Sequence, residues 1–264
     1  MMQQEKEISF LDHLEIFRWH MIRSIISILL FAILAFIFKD IVFDDILLAP
    51  KEPDFITYKI LCDVSRSLGF SDFFCFVKSP FTLININMSG QFYSHIIVSL
   101  IAGFIVAFPY ILFEIWKFVG PALYDKESKI ARGIVFFGSF LFVTGVCFGY
   151  YIISPLTINF LGSYQVSNLV INQISLSSFV TTISTLCLAN GLVFELPMLV
   201  YFLAKLGFLT PDLMRRFRKH SMVGALILSA IITPPDIMSQ ILVSLPLLIL
   251  YEISIKICSF VIKK

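Results

Sequence analysis

The chain has 264 residues, 58% hydrophobic and only 14% charged, with a formal net charge of +2 and a mean hydropathy of +0.90. Soluble domains average about 45–50% apolar and 25% charged residues, so the composition excludes a soluble enzyme and points to an all-α integral membrane protein. The basic run Arg215, Arg216, Arg218 and Lys219 sits in a short connection between apolar stretches and reads as a topology signal rather than a nucleic-acid contact.

A single domain over 1–264 is expected, opening with an amphipathic helix over 1–20. In ISFLDHLEIFRWHMIRS, Phe10, Leu14, Phe17 and Met21 recur at helical spacing, while Asp12, Glu15, Arg18 and His20 lie elsewhere around the turn. Such a helix lies along a membrane surface. Residues 1–7 are polar and acidic, and no small-residue cleavage site follows the first apolar segment, so that segment is expected to stay in the mature protein.

Six apolar spans are predicted at 21–38, 92–116, 133–153, 176–204, 222–232 and 237–255. A spanning helix needs about 20 apolar residues, so the last two, separated by Thr233-Pro234-Pro235-Asp236, read as short helices that tilt, meet thinned lipid or lean on neighbours. Basic residues cluster at both termini and in the second and fourth connections, and none lies between Ile152 and Lys205 or between Ile231 and Tyr251. The positive-inside rule then places both termini in the cytoplasm. The acidic connection over 39–91 is expected to form an external cap. It carries Cys62 and Cys75; a disulfide between them and a pair of buried thiols are the two readings, since sequence does not give the separation a bridge requires.

Glu195 falls well inside the fourth span, two residues before Pro197. A central carboxylate costs about 3 kcal/mol to insert, so it must face protein or water. It is either a functional group or a protonated acid capping carbonyls that Pro197 leaves without a donor. Glu114, nearer the end of its span, is expected to snorkel. Pro109, Pro155, Pro197, Pro234, Pro235 and Pro246 should kink or cap helices and stiffen a concave scaffold. His13, His20, His95 and His220 are scattered, with no catalytic, metal or cofactor motif among them, so neither an enzyme nor a cofactor is expected. A proton-coupled small-solute transporter using Glu195 and Glu114 as relays is the competing function.

Four stretches in order, FLDHLEIFR (10–18), AFPYILFEIWKFVGPALYDKE (107–127), FELP (194–197) and ITPPDIMSQILVSLPLLILYE (232–252), closely resemble the TatC family, the multispanning receptor subunit of the twin-arginine protein translocase. The resemblance implies a six-helix cup in the bacterial inner membrane that binds signal peptides carrying two adjacent arginines. It also implies TatA- and TatB-type single-span partners, several copies per complex, and transport of folded cargo driven by the proton-motive force. Glu127 matches the family's signal-binding glutamate. The second carboxylate belongs to the N-terminal helix, where the family commonly has His-Leu-Glu-Glu-Leu-Arg; here Ile16 replaces the second glutamate, so Glu15 or Asp12 must serve, beside Arg18 and, just past the second span, Phe118. Glu195, Thr233 and Gln240 match the positions that dock the partners. Pro50, Pro109, Pro121, Tyr150 and Asp236 are assigned to the scaffold.

Overall fold

Helix α1 (Phe10–Ile37) runs without interruption for 28 residues, about 42 Å at 1.5 Å per residue. The computed structural model describes residues 10–67, 81–119, 128–167, 172–234 and 236–262. From Phe10 onward the expected surface segment and the first span are one helix, with no glycine or proline between Phe10 and Ile37 to give the chain a place to turn; residues 1–9 lie outside the described residues. Leu14, Phe17 and Met21, the apolar face of that segment, stay exposed.

α3 (Gly90–Val119) returns alongside α1 and packs on it more extensively than any other pair of elements. α4 (Ser128–Phe148) continues through a π-helical turn, Gly149–Ile153, into α5 (Ser154–Ser163), where Pro155 in the first turn of α5 has no N–H to give the preceding turn and the Tyr151 carbonyl accepts from the Thr57 hydroxyl instead. α6 (Leu176–Phe194) and α7 (Leu196–Lys205) are separated by a break at Glu195. α8 (Pro211–Arg216) precedes a hairpin of α9 (Arg218–Ile232) and α10 (Ile237–Ile262).

Five runs, Leu14–Ile37, Gly90–Val119, Gly133–Ser163, Leu176–Lys205 and Ser239–Ile262, are long and apolar enough to cross a membrane. The protein is a multi-pass membrane protein. α9, with 15 residues, reaches only about 22 Å against about 30 Å of hydrocarbon. The expectation that both last helices are short therefore holds for α9 and not for α10, which has 26 residues. α10 runs past 255 because no breaker follows Glu252, and Pro246 sits inside it without ending it.

The described parts of the 39–91 connection, residues 39–67 and 81–91, are structured. It holds a π-helical turn (Ile41–Leu47), a 3-10 turn (Ala49–Lys51) and α2 (Ile56–Ser67). Then β1 (Thr82–Ile84) pairs in parallel with β2 (Gln173–Ser175) from the next connection on that face, Leu83 opposite Ile174. Three-residue strands are too short for alternation to reveal. We refer to this end as the cap face, and to the opposite end, with Arg18, Lys117, Arg215, Arg216 and Arg218, as the basic face.

Beneath the cap, Leu47, Phe81, Val98, Phe179 and Ile183 form one apolar cluster, and Ile153, Leu186, Val243 and Leu247 join α6 to α10 in another. Phe108 and Phe142 stack at 3.6 Å and 9° between α3 and α4. In lipid, helices associate through close packing rather than hydrophobic exclusion. Gly145 is such a contact: a Cβ there would come within 2.6 Å of the Asn190 carbonyl oxygen. The outward side of α1, with Ile33 60% and Ile37 64% exposed, is the apolar surface that lipid requires.

Candidate functional site

Toward the basic face, α1 and α3 meet through an aromatic and charged cluster. The Phe118 ring lies 5.2 Å from Phe17 and 6.1 Å from His20. Glu114, one helical turn before Phe118, is only 3% exposed, and its Oε2 accepts a hydrogen bond from His20 Nδ1. Arg23 Nη1 is 4.0 Å from the same oxygen. Residues at i, i+3 and i+4 share a helix face, which is why Phe17, His20 and Ser24 of α1 confront Tyr110, Glu114 and Phe118 of α3. Glu114 does not snorkel; it turns inward because α1 offers it a histidine ring nitrogen and a guanidinium. His20, which sequence reasoning left among scattered histidines, is thus a member of a defined cluster. His20 and Glu114 lie 94 residues apart, and neither segment carries a local signal that pairs them.

Glu15 and Arg18 are exposed on α1, as is Ile16 at 41%. Asp12 falls on the first turn of α1. Glu127, Pro121 and Cys75 lie outside the described residues. Along the sequence, Glu127 is the residue before Ser128, where α4 begins.

Glu195 occupies the break between α6 and α7. Its backbone N–H donates to the Leu192 carbonyl at 3.2 Å and its own carbonyl accepts from Met198 and Leu199 at 3.0 Å each, so the chain turns there while both helices keep their ends bonded. Its Oε1 is buried without a hydrogen-bond partner among the described residues. An unpaired buried polar atom is costly, so this oxygen is an open acceptor. Gly138 of α4 stands in front of the carboxylate and borders a groove of about 420 Å³ lined by Phe137, Pro197, Met198 and Tyr201.

Thr233 and Gln240 belong to the α9–α10 hairpin. Thr233 Oγ1 donates to the Ser229 carbonyl at 2.9 Å, and Gln240 Nε2 donates across to Leu226 of α9 at 3.3 Å. Asp236 is the N-cap of α10, its Oδ1 accepting from the Ser239 N–H at 2.6 Å. No hydrogen bond among the described residues joins Glu195 to Thr233 or Gln240. Its neighbours Val193 and Leu196 do pack into the same apolar cluster as Ile232 and Leu242, so the break and the hairpin are adjacent.

On the cap face, fully buried Pro50 is held by Tyr58, whose hydroxyl lies 3.0 Å from both the Pro50 and the Pro155 carbonyl. The Tyr150 hydroxyl donates to the Ile46 carbonyl at 2.6 Å, tying one π-helical turn to the other. Pro109 sits exposed inside α3. Cys62 is disulfide-bonded, and Cys147, Cys187 and Cys258 are free. An apolar cavity of about 700 Å³ opens below the cap between α1, α3, α4 and α6, with Phe38, Val98 and Tyr150 in its wall.

Residues 12–246 match the family described as Sec-independent protein translocase protein (TatC). The chain belongs to the TatC family. A TatC protein of Blattabacterium sp. subsp. Periplaneta americana is 37% identical over the whole of both chains, and the TatC of Aquifex aeolicus is 33% identical over 92% of each. A crystal structure described as the twin-arginine translocase receptor TatC superposes with a TM-score of 0.73 at 32% identity, covering 95% of this chain and 99% of that one. As a TatC-family member, this chain is a component of the Sec-independent protein translocase.

Proposed function

We propose that this chain is the signal-peptide receptor and docking core of a twin-arginine translocase, with its basic face and both termini in the cytoplasm of a bacterial inner membrane. The observation that carries the reading is the meeting of Phe118 with Phe17 and His20. It supports a recognition surface shared by α1, with exposed Glu15 and Arg18, and by the end of α3, which the Glu127 connection follows in sequence. A guanidinium is always charged and pairs best with a fixed carboxylate, so two adjacent arginines call for two acidic groups near that surface. Glu127 supplies one; Glu15 or Asp12 supplies the other in place of Ile16.

Glu195, with its open acceptor oxygen, docks a polar group of a TatA- or TatB-type single-span helix, with Thr233 and Gln240 of the adjacent hairpin completing the surface. An interhelical hydrogen bond of this kind contributes about 0.6–2 kcal/mol, which suits reversible assembly in several copies. Cys62 pairs with Cys75 in the cap on this reading. The transporter alternative is not favoured, because Glu114 is committed to His20 and Arg23 rather than poised as a relay.

The test is photocrosslinking in native membranes with signal peptides bearing Arg-Arg or Lys-Lys and a probe beside the pair. Adducts to the Glu127 connection and α1 that require Arg-Arg, and that vanish in Glu127→Ala while the protein remains intact, are expected. Equal adducts from both peptides would refute the receptor assignment.

A further inference from the structure

We propose that His20 and Glu114 are positioning residues for signal recognition, a latch that sets the rotation and register of α1 against α3; this rests on the receptor reading above. α1 has no glycine or proline from Phe10 to Ile37, so it behaves as one stiff rod, and a contact at His20 fixes the direction of the side chains ahead of it. Arg18 and Glu15 precede His20 by about 3 Å and 7.5 Å along the axis. Sliding α1 by one residue turns it by about 100°, which would take His20 off Glu114 and swing Glu15 away from the Phe118 end of α3.

The latch resists such a slip because of where it sits. Glu114 is 3% exposed, and a buried carboxylate stripped of its partners is left desolvated and unpaired. Arg23 approaches the same oxygen from the next turn of α1, so α1 supplies both partners and a slip loses both. The consequence is sharpened by Ile16. With an aliphatic residue at the position where the resemblance leads one to expect a glutamate, the second carboxylate must come from a neighbouring position, and adjacent helix positions point in different directions. Recognition then depends on the angle at which α1 is held, and His20–Glu114 holds it.

The two peptides described above, applied to membranes containing the full chain and its complex, test this in a cycle of His20→Leu, Glu114→Leu, the double variant and Glu114→Gln. Each single leucine should lower Arg-Arg adducts to α1 by about tenfold, because it strands one buried group. The double variant should recover to within about threefold of wild type, because an apolar pair packs where a hydrogen-bonded pair stood. Glu114→Gln, which still accepts from His20, should also stay within about threefold. If the single variants fail to accumulate, the double and glutamine variants decide. Singles that crosslink like wild type would overturn the latch. So would a double variant as weak as Glu114→Leu, which would put Glu114 itself on an arginine. A wild-type protein indifferent to Arg-Arg would instead refute the receptor reading, and the latch with it.

Discussion

Gly138 of α4 and Glu195 at the α6–α7 break stand face to face, so closely that a Cβ on Gly138 would lie 3.4 Å from Glu195 Oε2 and 2.5 Å from Leu112 Cδ2. The glycine keeps the space in front of Oε2 free of a side chain, beside the groove of Phe137, Met198 and Tyr201. Gly138→Val should cover Glu195 and displace Leu112. Losing an interhelical bond of about 0.6–2 kcal/mol weakens assembly by about three- to thirtyfold. Co-purification of the single-span partner should fall by that factor in Gly138→Val and Glu195→Leu, and much less in Glu195→Gln, which keeps an acceptor. Unchanged recovery in both of the first two would remove Glu195 from the docking surface.

Tyr58 fastens the cap to the bundle by a phenol shared between the Pro50 and Pro155 carbonyls. Tyr58→Phe leaves both oxygens with one donor fewer and should cost about 1–2 kcal/mol, read as a lower unfolding temperature in detergent. Burial raises the phenol above its ordinary value, so the folded cap favours the protonated form. This contribution is complete below the unfolded value of about 10 and is lost as pH rises beyond it. Wild type should therefore lose stability relative to Tyr58→Phe in alkaline solution, and parallel curves would show that Tyr58 does not hold the cap.

What the sequence revealed and what it concealed divide along physical lines. The spans were legible because twenty apolar residues in a row have few other uses. Glu195 was legible because a mid-span carboxylate is costly, and Phe118 and the α1 motif because they lie in recognisable strings. The continuity of α1 was obscured by its change from amphipathic to uniformly apolar, which alters what the helix faces and not whether it is one helix. His20 and Glu114 are 94 residues apart, and nothing local in either segment announces that they meet. The β1–β2 pairing joins two connections through strands of three residues, below the length at which a pattern exists.

Asp236, assigned to the scaffold from sequence, acts at a helix end. Its side chain caps α10 through Ser239, and the turn it closes sets the approach of α10 to α9. Asp236→Ala should cost about 1 kcal/mol, whereas Asp236→Asn keeps the accepting oxygen and should be nearly silent. Thermal unfolding of the two variants in detergent distinguishes capping from a role for the charge: equal losses in both would make the charge, rather than the cap, the reason for the residue.

A second ion pair gives the contrast that calibrates the first. Arg218 Nη2 and Glu252 Oε2 are 2.8 Å apart, tying α9 to α10, with side chains 46% and 47% exposed. Proximity alone would rank this pair above Arg23–Glu114, but exposure decides the outcome. Water solvates both partners when either is removed, and exposed pairs contribute about 0.2–1 kcal/mol. Glu252→Gln should accordingly leave unfolding temperature and export almost unchanged, with the small difference vanishing at high salt. A loss as large as that of Glu114→Leu would mean that the α9–α10 hairpin, held by Gln240 and Leu226 at its other end, depends on charge at the basic face to keep its short helix in place.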